Sequence, residues 1–116
     1  MDAYLARIGV AHGPPDLAML RAVVTGHTRS IAFENLDPFT GRDVDLDGVT
    51  AKMVHGGRGG YCFEHNLLLQ EALDELGYRT TALTARVVWS RPADAPPGAR
   101  THMLLRVDLD TGPHVV

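Results

Sequence analysis

The chain has 116 residues, 45% of them hydrophobic and 22% charged, with a net charge of −3, the composition of one globular domain or a piece of a larger one. Acids and bases are mixed, so no basic face is on offer to nucleic acid, and the apolar runs fall well short of the roughly 18 residues a membrane span needs. The opening MDAYLARIGV lacks the basic and apolar stretches of a signal peptide, and a single cysteine cannot form an internal disulfide, so a cytoplasmic protein without nucleic-acid or membrane partners is expected.

In chain order, DAYLARIG predicts a short helix, with Asp2 as its cap and Gly9 as its stop. PPDLAMLRAVVTG predicts a second, opened by proline and ended by Gly26, with Leu17, Leu20, Val23 and Val24 at helical spacing. SIAFENLDPFTGRD has no period and reads as an ordered loop. DLDGVTAKMVHGG predicts a third helix, capped by Asp47 and stopped by Gly56. The strongest pattern is YCFEHNLLLQEALDELG, where Leu69, Ala72, Leu73 and Leu76 share one face and Gln70, Glu71, Asp74 and Glu75 the other.

The period then changes. Residues 79–90 are rich in threonine and valine and predict a strand. Residues 91–100 form a Pro/Ala/Gly loop. Residues 101–110 alternate, with Met103, Leu105, Val107 and Leu109 on one face and His102, Leu104, Arg106 and Asp108 on the other. Asp110-Thr111-Gly112-Pro113 predicts a hairpin turn, and His114-Val115-Val116 begins a returning strand. The expected class is α+β: residues 1–78 a helical bundle, and residues 79–116 the first antiparallel strands of a sheet or barrel, left incomplete.

Cys62 stands two residues past Gly59-Gly60, at the predicted start of the strongest helix. Thiols react as thiolates, and the unpaired N–H groups of a helix start favour negative charge. Glycines let the backbone come close to a substrate, and Arg58 adds positive charge or anchors Glu64 or Glu34. A lone cysteine equally reads as a small buried apolar residue. A cysteine nucleophile needs a base, usually histidine. His12 and His27 fall in predicted loops, where they would be solvated. His55 lies near a helix end, His65 lies one turn along the helix that carries Cys62, and His114 is in the turn region. His102 opens a strand and faces away from the core side. It could be a base or an ordinary exposed strand residue. No metal-ligand spacing is present.

Three segments resemble the arylamine N-acetyltransferases. RGGYCFEHN is similar to that family's RGGxCxExN motif, SIAFENLD to its PFENLD segment, and THMLLRV to its histidine strand. The resemblance implies a Cys-His-Asp triad on a core shared with cysteine proteinases. Position by position, it implies Cys62 as nucleophile and His102 as base, with Arg58, Gly59, Gly60, Glu64, Asn66, Phe33, Glu34 and Asn35 shaping the site. The family's aspartate follows the histidine strand, where HVV ends. Asp108 shares a face with His102 but lies six residues along the strand, about 20 Å away. The missing aspartate is therefore expected beyond Val116, in a longer enzyme of which this is the N-terminal portion.

By the same resemblance, acetyl-CoA is a cosubstrate, no cofactor is permanently bound, and the acceptors are small aromatic amines, hydrazines or arylhydroxylamines. Acetyl would pass through a cysteine thioester in ping-pong fashion. Two alternatives stay open: an inactive helical module, and a related thiol acyltransferase or hydrolase.

Overall fold

The computed structural model describes residues 1–41 and 44–116. Among the described residues five helices come first: α1 (Asp2–Ile8), α2 (Leu17–Ser30), α3 (Leu36–Phe39), α4 (Leu46–Thr50), extended by a π-helical turn over Ala51–His55, and α5 (Cys62–Glu75). Three strands follow, β1 (Arg79–Ala85), β2 (His102–Leu109) and β3 (Gly112–Val115), forming one antiparallel sheet in the order β1-β2-β3. The mixed helix and antiparallel sheet matches the expected class. One buried cluster serves both, joining Leu5, Leu20, Val23, Met53, Leu69 and Leu73 of the helices to Leu105 and Val107 of β2.

Several boundaries differ from the sequence reading, each for a local reason. Asp2 is the first residue of α1, not its cap, which is Met1. Gly9 does end that helix, at φ 69°. Helix α2 is capped by Asp16, whose carboxylate accepts from Met19 N at 2.8 Å, and it runs through Gly26 to Ser30. A Cβ on Gly26 would lie 2.7 Å from Ile8 O and 2.9 Å from Val10 Cγ2. That glycine lets α2 cross the end of α1 and does not terminate the helix. His27 is consequently helical and buried, not solvated.

The predicted loop after α2 contains the short α3. Its Arg42 and Asp43 lie outside the described residues. Asp45, not Asp47, caps α4, accepting from Gly48 N at 2.7 Å. Strand β1 stops at Ala85 because its partner β2 begins opposite it, at His102. Val87, Val88 and Trp89 therefore leave the sheet and are exposed, Trp89 by 88%. On β2 the alternation holds where it matters most, with Leu105 and Val107 buried and Arg106 exposed. The turn is tight: Leu109 pairs with Gly112, and Leu105 and Val116 exchange both backbone bonds at 2.9 Å.

Candidate active site

The segment before Cys62 is fixed by backbone. Phe33 and Gly60 form an isolated parallel bridge, with Gly60 N donating to Ala32 O at 3.1 Å and Glu34 N donating to Gly60 O at 2.8 Å. A Cβ on Gly59 would lie 1.9 Å from Ala32 O, and one on Gly60 2.8 Å from Glu64 Oε2. Both positions admit only glycine, because backbone and a capping carboxylate occupy the space. Helix α5 then starts at Cys62 itself, with Tyr61 as cap. Glu64 reaches back, its Oε2 accepting from Tyr61 N at 3.0 Å, which satisfies one of the free donors of the helix start.

The other oxygen of Glu64 accepts from Lys52 Nζ at 2.5 Å. Glu64 is buried, its side chain 4% exposed, and Lys52 is half-buried with 8% of its side chain exposed. Lys52 also pairs with Asp37 at 3.1 Å and Glu34 at 3.6 Å. Arg58 Nη2 donates to Glu34 at 2.9 Å and to Asp37 at 3.3 Å. Burial works against the Lys52 ammonium, but its bonds to Glu64 and Asp37 outweigh that and raise its pKa. The bond from Lys52 in turn lowers that of Asp37. This brace ties the π-helical turn, the 33–37 segment and the start of α5 together. Arg58 thus anchors Glu34, one of its two expected partners, while Glu64 goes to Lys52. Sequence reasoning missed Lys52 and Asp37. The available signal was that Lys52 is the only lysine in the chain and sits among apolar residues.

Strand β2 reaches the same helix start through Asn66. Its Nδ2 donates to Cys62 O and to Met103 O, each at 2.9 Å. The Cys62 thiol lies 3.8 Å from Thr101 O. Cys62 and His102 thereby line one cleft of about 350 Å³, together with Phe33, His65 and Asn66. Cys62 is 8% exposed, and His102 is open to solvent. The cleft wall is overwhelmingly apolar, with Val24, Ile31, Leu69 and Val116 contributing. Asn35 stands at the cap of α3 with its side chain exposed, away from this lining.

Asp108 is engaged elsewhere, accepting from Arg106 Nε at 2.9 Å. It pairs with Arg79, at the opposite end of β1 from the residue that pairs with His102. Among the described residues no carboxylate hydrogen-bonds the His102 ring, and no group of three or more His, Cys, Asp or Glu is placed to hold a metal ion.

His65 is occupied in a different way. Its Nε2 lies 3.1 Å from Ala32 O, and its Nδ1 lies 2.7 Å from His27 Nε2. His27 Nδ1 meets Tyr4 Oη at 2.9 Å. Both nitrogens of His65 are thus engaged by partners other than Cys62. Burial, then the neighbouring His65, push the pKa of His27 down to about 4. Burial pushes that of Tyr4 up, so the phenol stays a donor.

With this geometry in place, the chain can be compared with known proteins. The sequence model of the N-acetyltransferase family matches residues 16–116. The arylamine N-acetyltransferase of Mycolicibacterium smegmatis is 50% identical over 111 residues, covering 92% of this chain and 40% of that protein. The chain belongs to the arylamine N-acetyltransferase family. Human arylamine N-acetyltransferase 1 is 34% identical over 120 residues, covering 100% of this chain and 41% of its own. Among solved structures, the Mycobacterium marinum arylamine N-acetyltransferase superposes with a TM-score of 0.91 at 45% identity, over 99% of this chain and 44% of that one. The same enzyme has been solved in complex with CoA, and that structure gives a TM-score of 0.89. The chain thus spans about 40% of the length of the curated relatives it matches. Among the described residues no helix is long and apolar enough to cross a membrane.

Proposed function

We propose that this chain carries the nucleophile and base of an acetyl-CoA-dependent arylamine N-acetyltransferase. The observation that carries the reading is the shared cleft: Cys62 at the first position of α5 and His102 at the first position of β2, drawn together by Asn66. The family membership and the CoA complex of a relative support the donor.

The chemistry balances in two steps. His102 takes the thiol proton of Cys62, and the sulfur attacks the carbonyl carbon of acetyl-CoA. The tetrahedral intermediate collapses, and CoA leaves as a thiolate that recovers the proton from the imidazolium. One thioester has replaced another, so the acetyl group can rest on Cys62. An aromatic amine or hydrazine then attacks that carbonyl, His102 accepts the amine proton, and the Cys62 sulfur departs as a thiolate that takes that proton back from the imidazolium. The apolar wall of the cleft favours a flat, uncharged acceptor. We infer further that the helices and sheet form part of a cysteine-proteinase-like core with a barrel, acting in the cytoplasm. A carboxylate absent from the described residues would orient His102.

Intact-mass measurement after incubation with acetyl-CoA tests the assignment. One acetyl group should appear on the native chain and none on Cys62→Ala. An adduct that persists in Cys62→Ala, or one mapped to another residue, would reject it. Free acetate released at equal rates with and without an aromatic amine would favour a thiol hydrolase.

A further inference from the structure

Ala32 O is a carbonyl and can only accept, so the His65 Nε2 that lies 3.1 Å from it must carry a hydrogen. In a neutral ring, His65 Nδ1 is then an acceptor, so the hydrogen between the two rings belongs to His27 Nε2. His27 Nδ1 is an acceptor in turn and receives the Tyr4 hydroxyl. The direction of the whole line follows from its last member: Tyr4 O–H to His27, His27 to His65, His65 to the Ala32 carbonyl. It ends on a group that cannot pass a proton on, so it is a fixed strut rather than a relay. Its three side chains come from α1, α2 and α5.

The strut meets the cleft at one place. His65 touches the 32–33 segment twice: Nε2–H on Ala32 O, and its ring stacked on Phe33 at 3° between planes with centroids 5.9 Å apart. Phe33 is 71% exposed and lines the cleft beside Cys62. On its other side the segment is held by the Phe33–Gly60 bridge, and Ala32 O uses its second lone pair on Gly60 N. An aromatic side chain so exposed normally samples several rotamers, and a surface for stacking a flat ligand needs one.

We propose that His65 is a positioning residue, held in one orientation by Tyr4 and His27, which sets the Phe33 ring as the wall on which an aromatic acceptor lies. This rests on the reading that the cleft takes aromatic amines. The role is separate from that of Cys62 and His102, since His65 has no free nitrogen to offer the reaction.

Aniline serves as the probe, its Kd measured by NMR titration on the whole chain, with no acyl transfer required. His65→Phe keeps a flat ring but cannot donate to Ala32 O, and it should weaken aniline about fivefold, the loss expected when an aromatic contact is no longer held in place. His65→Gln offers an amide donor to Ala32 O and an acceptor to His27, and it should restore affinity to within about twofold. Two-bond 1H–15N spectra of the native chain should show both His27 and His65 as Nε2–H tautomers.

Equal aniline affinity in native and His65→Phe chains would overturn the proposal. So would a His65→Gln chain as weak as His65→Phe, an Nδ1–H signal from either histidine, or no aniline binding by the native chain. The two readings fail separately. Absence of an acetyl adduct, with the affinity differences intact, removes the transferase assignment alone. A normal adduct with equal affinities removes the positioning role alone.

Discussion

Cys62 and His102 face the same cleft from surroundings built in opposite ways. On the cysteine side, every approach is fixed within a short span of chain or by buried charge. Gly59 passes against the Ala32 carbonyl and Gly60 against Glu64, Glu64 caps the helix, and Lys52 and Arg58 brace Glu34 and Asp37. On the histidine side, β2 is placed by its register with β1 and by the bond from Asn66 to Met103 O. The loop leading into it, residues 86–101, is mostly exposed, and its apolar residues Val87, Val88 and Trp89 face solvent. Cys62 is thus positioned by the helical half almost on its own, whereas His102 depends on strand pairing. Damage to the brace should cost stability, and damage to the link should cost coordination between the two residues.

The largest effect should come from breaking the brace. Lys52→Met leaves Glu64 buried without its cation, and loss of one partner of a buried pair costs about 3–5 kcal/mol. Urea unfolding should show it as a lowered midpoint with little change in slope, and an unchanged midpoint would mean that the pair contributes nothing.

Acid should be next. The pKa of His27 falls from 6.5 to about 4 in the fold, so between those values the unfolded chain binds more protons and stability rises with pH. The contribution is fully present above pH 6.5 and is lost as pH falls towards 4, by about 3 kcal/mol at most. Unfolding midpoints measured across that window should fall on the acid side, and His27→Phe should flatten the slope.

Asn66→Ala removes the donor shared by Cys62 O and Met103 O, at a cost of about 1–3 kcal/mol for carbonyls left without it. Its sharper signature is hydrogen exchange, faster at the start of β2 than in the middle of α5. Uniform acceleration would argue against a local link. At the far end of the scale, Trp89→Ser should change stability by no more than about 0.5 kcal/mol, since the ring is 88% exposed.

Much of this was legible in the sequence because the signals were local. The change of period after Gly77 separated helices from strands, and the alternation over residues 102–109 identified Leu105 and Val107 as core. The Gly-Gly-Tyr-Cys run placed the thiol at a helix start, and α5 begins there. What escaped depended on contacts distant in sequence. Gly26 looked like a helix stop because its role, clearance from Ile8 and Val10, belongs to another helix. His27 looked solvated for the same reason, and with it the line from Tyr4 to His65 was invisible. Lys52 gave no local pattern, since its three carboxylates are spread from residue 34 to residue 64. Val87, Val88 and Trp89 have strand chemistry but no strand opposite them, and only the register with β2 reveals that.

The most direct test of the pairing is the rate at which iodoacetamide alkylates Cys62 at neutral pH, in the native chain and in His102→Gln. If the imidazole accepts the thiol proton, the substitution should slow alkylation by at least about tenfold, within the range that a positioned base contributes. Equal rates in the two proteins would show that the sulfur reacts without His102 and would contradict the account.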